Sequence, residues 1–271
     1  MSNKSAGLGA RQAQAVEMCC PITELRQYTM KPGRRDDLIA LFEEHFIEGQ
    51  EAEGMRIIGQ FRNRTHPDQF VWMRGFADME ARRKALEGFY FGPIWKEHRA
   101  AANDTIIDSD NVLLLKPART ASSFRFDAVD RPEMDAKGPP RGVIIATIYA
   151  FQAPIDATFV DFFETKIAPA LGDAGATLLE YFVTEPSENT FPQLPVREGE
   201  HVFIWLASFA DDAAYEAYQT ALAQSQAWIK SLVPALQSWL SKPEEVLELA
   251  PTRRSLLRHR PTKQSADAAL Q

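Results

Sequence analysis

The stretch FVWMRGFADMEARRKAL at residues 70–86 returns as FIWLASFADDAAYEAYQTAL at residues 203–222. Phe70, Trp72, Phe76, Ala77 and Asp78 each meet an identical residue 133 positions on, at Phe203, Trp205, Phe209, Ala210 and Asp211. Trp95 reaches Trp228 by the same shift. So specific a repeat makes the chain two copies of one supersecondary unit.

Working outward, each copy reads as β-α-β-β-α-β. In the first, Ile22 to Met30 is a strand, and Pro32-Gly33 turns it into a helix with apolar residues at Leu38, Leu41, Phe42 and Phe46. Met55 to Phe61 and Phe70 to Phe76 are strands joined through Thr65-His66-Pro67-Asp68. Asp78 is placed to cap a helix whose inward stripe is Met79, the stem of Arg82, Leu86 and Phe89 or Tyr90. Gly92-Pro93 breaks it and opens a short helix through Trp95 and His98, and Asn111 to Pro117 is the fourth strand.

The second copy has strands at Val143 to Phe151, Ala176 to Thr184 and Val202 to Phe209, a helix at Ala157 to Leu171, helices between Asp211 and Leu240, and a last strand near Val246. The shift is 121 early (Tyr28 to Tyr149, Phe42 to Phe163, Phe61 to Phe182) and 133 after the middle hairpin, so that loop is 12 residues longer in the second copy. It reads as a lid or, preferably, a surface excursion. The domain map is a flexible N-terminus at 1–20, a first unit at 21–118, a Pro- and Asp-rich exposed linker at 119–141, a second unit at 142–252 and a disordered tail at 253–271. Two four-stranded antiparallel sheets, each with helices on one face, must bury the other face. The expected fold is therefore α+β, two ferredoxin-like units packed sheet to sheet as one barrel.

Composition narrows the function. The net charge of −7 argues against a nucleic-acid or anionic-membrane role. The longest strand-like apolar run, from Gly142, is about half of the ~20 residues a membrane helix needs. The first 20 residues lack the apolar core of a secretory signal, so a cytoplasmic location is expected. Cys19 and Cys20 are adjacent, with Cα atoms about 3.8 Å apart, closer than a relaxed disulfide prefers, and are expected as free thiols. With no CxxC or Cys/His cluster, no metal is expected. There is no GxSxG, P-loop or GxGxxG, and no cofactor is implied.

The runs ELRQYTMKPG (24–33), GMRIIGQF (54–61), FVWMRGFADMEAR (70–82), the FY-x-GP-x-W of residues 89–95 and NVLLLKP (111–117) together resemble the NIPSNAP family. The resemblance covers Ile22 to Pro117 and, more faintly, Val143 to Thr252. It implies the dimeric α+β barrel superfamily, whose members include cofactor-free monooxygenases, lactone isomerases and haem enzymes. It supplies no settled catalytic residues. Animal relatives are linked to vesicle traffic and mitochondrial signalling.

Comparing the copies gives the candidate site. Alternation places Arg26 and Tyr28 on one face, with Arg56, Ile58 and Gln60 on a second strand and Trp72 and Arg74 on a third. Leu25, Ile57, Phe61, Val71 and Met73 take the other face, which suits helix packing. The repeat turns Arg26 into Thr147, Gln60 into Tyr181, Arg74 into Ala207 and His98 into Ser231, but keeps Tyr28 and Trp72 as Tyr149 and Trp205. One half thus offers Arg26, Gln60, Arg74 and His98 toward the barrel interior. Buried guanidinium groups need oxygen partners, and Glu24, on the same face, can neutralise one.

The expected function is binding of a small anionic or carbonyl ligand at Arg26, Tyr28, Gln60, Trp72, Arg74 and His98, or cofactor-independent catalysis there. The other reading is a non-catalytic scaffold whose filled barrel is knitted by these arginines. Haem ligation by His98 is a distant third. His45 reads as a core histidine, His66 as a surface one, and the run Arg82-Arg83-Lys84 as a solvated helix face. No nucleic-acid or membrane partner is expected. A homodimer stays open, because the linker is long enough for the sheets to pair between chains.

Overall fold

The computed structural model describes residues 19–119, 124, 131–136 and 142–259. In the first unit, β1 (Ile22–Met30) turns at Gly33, φ +75°, into a helix over residues 35–52. This helix carries a π-turn at Phe42–Phe46. β2 (Arg56–Asn63) and β3 (Gln69–Phe76) form a hairpin. The Asp78 carboxylate then accepts from the Ala81 N–H at 2.7 Å and starts the helix Met79–Phe91. Gly92 ends it, Pro93–Asn103 follows, and β4 (Ile106–Pro117) closes the unit.

The second unit repeats each step. β5 (Val143–Phe151) leads to a helix over 157–173 with its own π-turn at Phe163–Ile167. β6 (Thr177–Thr184) and β7 (His201–Phe209) are followed by the helix Asp212–Gln224, whose cap Asp211 accepts from Ala214 N–H at 2.9 Å. A short helical segment over 228–237 and β8 (Glu245–Pro251) complete it.

All eight strands form one closed barrel in the order β1-β3-β2-β8-β5-β7-β6-β4. Each unit contributes a four-stranded antiparallel sheet, and two seams join them. β2 pairs β8 (Phe61 with Pro251, Asn63 with Leu249), and β4 pairs β6 (Leu115 with Thr184, Pro117 with Phe182). The seams are repeat equivalents of each other, so the twofold expected from the sequence is present. Closure satisfies every sheet edge within one chain.

The barrel interior is an apolar cluster that includes Leu25, Val71, Met73, Ile148, Phe182, Ile204 and Leu206. The helix side of the first sheet packs Tyr28, Phe70 and Trp72 against Leu38, Phe42, Phe46, Leu86 and Phe89. This reverses the expected facing: Leu25, Phe61, Val71 and Met73 point into the barrel, while Arg26, Tyr28, Trp72 and Arg74 lie under the helices. The reason is energetic. Each buried Val, Leu or Phe stabilises by roughly 1.5–3 kcal/mol, whereas a guanidinium placed there is stripped of its water at a cost. A bulge between Ile57 and Gly59 also shifts the phase of β2, so that Ile57 packs under the helices and Ile58 in the barrel.

Two boundaries differ from expectation. Residues 253–259 are not a disordered tail. Leu257 joins the barrel core, the Gln60 N–H donates to Ser255 Oγ at 3.2 Å, and Arg254 binds the Glu43 carbonyl at 2.7 Å. The linker is packed where it is described: Phe124 lies against Phe182, and Arg131 donates to the Ile57 carbonyl at 2.7 Å. Residues 1–18 and 260–271, which the sequence reading assigned to flexible ends, lie outside the described residues. Cys19 and Cys20, expected as free thiols, are joined as a vicinal disulfide, with Cys20 at φ +70°. Cys20 sits where a Cβ on Gly75 would come within 2.3 Å of its own Cβ, so glycine is required there.

Since both seams join parts of one chain, folding is expected to be unimolecular. The melting temperature, followed by circular dichroism, should stay fixed over about a hundredfold dilution. A melting temperature that falls on dilution would mean that the seams form between chains.

Candidate functional site

The antiparallel register of β1 and β3 sets Glu24 opposite Arg74 and Arg26 opposite Trp72. Strand alternation turns these four side chains, with Tyr28, to the helix side. The helix Met79–Phe91 lies over them with its inward stripe Arg82, Ala85, Leu86 and Phe89. Arg82 therefore points down onto the sheet.

Three guanidiniums meet one carboxylate. Arg26 Nη1 donates to Glu24 Oε2 at 2.7 Å, Arg74 Nε to the same oxygen at 2.8 Å, and Arg82 Nε to Glu24 Oε1 at 2.7 Å. All four side chains are fully buried. Three positive charges against one negative leave the cluster two charges in excess.

The surroundings share out what remains. Arg26 Nε donates to the Tyr28 hydroxyl at 3.1 Å, and Arg74 Nη1 donates to Gln50 Oε1 at 2.9 Å. The Trp72 ring lies between Arg26 and Arg74, whose guanidinium carbons are 5.4 and 5.0 Å from its centroid. Such cation–π contacts are worth about 2 kcal/mol or more when desolvated, too little to replace a counter-ion. Several buried polar atoms here have no hydrogen-bond partner: the Nη2 atoms of Arg26, Arg74 and Arg82, both amide atoms of Gln60, and Trp72 Nε1. Each orphan costs about 1–3 kcal/mol.

The electrostatics follow from this arrangement. Burial alone would raise the pKa of Glu24, but Arg74, Arg26 and Arg82 outweigh it and hold the carboxyl well below the usual carboxylate range. Burial opposes the charge of Arg26, yet Tyr28 and Glu24 prevail and raise its pKa. For Arg82 burial prevails over Glu24 and lowers it. Burial likewise raises the Tyr28 hydroxyl.

Beside the cluster is a cavity of about 90 Å³, lined by its partners Tyr28, Gln50, Trp72 and Tyr90 together with Trp95 and Leu194. Leu194 belongs to the longer loop of the second unit. That loop is a strap, not the expected surface excursion. Its ends are pinned to β4, where Glu185 N–H donates to the Leu114 carbonyl at 2.9 Å and Arg197 N–H to the Val112 carbonyl at 2.8 Å. Its middle reaches the first unit: Arg82 Nη1 donates to Asn189 Oδ1 at 3.0 Å and Thr190 Oγ1 at 3.1 Å. Phe191 is buried and stacks on Tyr90 with centroids 5.8 Å apart.

Of the six residues picked from the sequence, Arg26, Tyr28, Trp72 and Arg74 come together. Gln60 is the cross-strand neighbour of Trp72. His98 is elsewhere: it stacks on half-exposed His45 at 3.9 Å on the helix surface and does not line the cavity. His45 is thus not the core histidine expected. Arg82, assigned to a solvated face, is the third arginine of the cluster, and only Arg83 and Lys84 reach solvent, where they pair with Glu80. Its place on the inward stripe was the signal. Among the described residues no group of three or more His, Cys, Asp or Glu could hold a metal, and no helix is long and apolar enough to cross a membrane.

Comparison with known proteins bears on the family. The family profile described as NIPSNAP matches residues 23–122. No curated protein matches the chain. Among solved structures, an anthrone oxidase-like protein aligns with 90% of this chain and 98% of its own, at 15% identity and a TM-score of 0.51. A Fusobacterium nucleatum protein provisionally named a monooxygenase aligns over 90% and 99%, at 8% identity and 0.50. Both share the two-unit barrel fold. An uncharacterised NIPSNAP domain protein from Burkholderia xenovorans matches 38% of this chain and 99% of its own, at 14% identity and 0.35. The likeness to the NIPSNAP family thus lies in the first unit of the chain.

Proposed function

We propose that the first unit binds a small acidic or carbonyl-bearing ligand between its sheet and its helices. One observation carries this reading: two uncompensated positive charges in a fully buried cluster, with unpartnered Nη2 donors on all three arginines. A ligand oxyanion would supply both the charge and the acceptors that the cluster lacks. Arg26 and Arg74 would hold its oxygens, Arg82 would steer it from the strap side, and Trp72 and Tyr28 would flank its plane. The adjoining cavity of about 90 Å³ limits the ligand to a few heavy atoms unless the strap moves. The site would also stabilise negative charge that develops on a ligand oxygen during reaction, without a cofactor, because its donors are already oriented in a dry environment.

Two outcomes are expected. Replacing Glu24 with Gln leaves three buried cations unpaired and should cost about 3–5 kcal/mol in urea unfolding near neutral pH. Because the folded pKa of Glu24 is depressed, its contribution is whole above the unfolded value of about 4.3 and is lost as pH falls from there toward the folded value. The gap between parent and Glu24→Gln should therefore narrow at about pH 3. An unchanged gap there would mean that the carboxylate charge is not what stabilises the cluster.

The second outcome concerns the ligand. Acetate, oxalate and pyruvate should raise the melting temperature of the parent, by an amount equivalent to about 2.7 kcal/mol at a hundred times the dissociation constant. They should raise that of Glu24→Gln further, since an added carboxylate then replaces the missing one. Arg26→Ala and Arg74→Ala should abolish the response. If neither parent nor Glu24→Gln responds to any of the three, while both alanine variants are destabilised, the arginines are structural and the proposal fails.

A further inference from the structure

At the equivalent place in the second unit the charges are gone. The early shift turns Glu24 into Ile145, Arg26 into Thr147 and Gln50 into Leu171. The later shift turns Arg74 into Ala207, Arg82 into Tyr215 and Tyr90 into Ala223. Tyr149, Trp205 and Trp228 remain as counterparts of Tyr28, Trp72 and Trp95. Threonine and alanine fill far less space than two arginines, and the layer between sheet and helices opens. The cavity there measures about 470 Å³, against about 90 Å³ in the first unit.

The lining matches what a small-molecule site requires: a mostly apolar wall with a few polar groups. The rings of Tyr149, Trp205, Tyr215, Tyr218 and Trp228 face it. Ile229 and Val246 stand at its edge, 43% and 42% exposed, so large apolar side chains are left in water where an occupant would cover them. No lysine or arginine lines it, and its one charged side chain, Glu244, is exposed at the rim. The deep polar groups are hydroxyls and the indole N–H of Trp205. Burial raises those of Tyr149 and Tyr218 and pushes Tyr215 up to about 12, so all three stay protonated at neutral pH.

We infer that this cavity is a second ligand site, and that it takes an uncharged, ring-bearing molecule with a hydroxyl group, about the size of a two-ring phenol. The aromatic wall stacks on the rings, and the hydroxyls of Thr147 and the tyrosines exchange hydrogen bonds with the polar end. An anion finds no cation and meets Glu244. A cation finds its only acid in solvent, where pairing contributes little.

Isothermal titration with 1-naphthol, 1-naphthoate and phenyltrimethylammonium tests this. 1-Naphthol should bind, and both charged probes should bind at least about tenfold more weakly, since a buried charge without a partner is costly. Thr147→Phe fills the floor, and Ala223→Trp, on the exposed rim and therefore neutral to folding, covers the mouth. Each should weaken 1-naphthol at least about tenfold, by the space it removes from the ligand. The inference is overturned if the parent gives no heat with 1-naphthol, if Ala223→Trp binds it like the parent, or if either charged probe binds as tightly. The site shares no residue with the arginine cluster, so it stands or falls independently of the first.

Discussion

Closure of the barrel within one chain is the constraint on which the rest depends. β2 reaches β8 and β4 reaches β6, and no sheet edge is left over. A sheet closed in this way has an inside with no outlet to water. Only apolar side chains go there without penalty, and the interior cluster of leucine, isoleucine, valine and phenylalanine meets that demand. Glu24, Arg26 and Arg74, which alternate with Leu25 and Met73, then fall on the helix side. Glu24, Arg26 and Arg74 are charged and buried because the sheet has one place for them, and that place is roofed by helices.

The same geometry explains how two copies of one unit came to hold different chemistry. The barrel half of each sheet is shared property: a change there disturbs both units. The layer under the helices belongs largely to one unit, although the strap of the second unit reaches into that of the first. Glu24, Arg26, Arg74 and Arg82 form a coupled set, since losing one partner leaves the others unpaired. Their counterparts Ile145, Thr147, Ala207 and Tyr215 all lack charge, as coupling requires of the set as a whole. Trp72 and Trp205, which the charges need only as neighbours, are the same in both.

Much of the fold was legible in the sequence, for reasons that are local. The repeat carried the topology, Asp78 announced its helix through cap chemistry, and Ile22 to Met30 is a strand over the span its alternation suggested. The facing was not legible. Alternation says which residues share a face but not which face is closed, and the bulge at Ile57–Gly59 broke the phase within one strand. Leu256 and Leu257 were hidden by the arginines around them, although both are buried. Arg26 and Arg74 stand out because they differ between the copies, and Tyr28 and Trp72, the same in both, because they share a face with them. Arg82 is hard to read because it sits in a run of three basic residues, and its inward position suits the packing of its stem as well as a buried charge.

The strap gives a reason for the two units to stay in one chain. The second unit has no charged cluster of its own, yet its residues Asn189 and Thr190 accept from Arg82, and its Phe191 stacks on Tyr90. The roof of the first site is therefore built by the second unit. The loop is long enough for this only because it carries the 12 residues that the corresponding turn in the first unit lacks. Anchored at both ends on β4, it meets the helix Met79–Phe91 through side-chain hydrogen bonds, from Arg82 to Asn189 and Thr190 and from Thr190 to the Met79 carbonyl, and through the ring contacts of Phe191, not through strand pairing. On the proposed reading, the barrel frames one site roofed by the strap and a second left open.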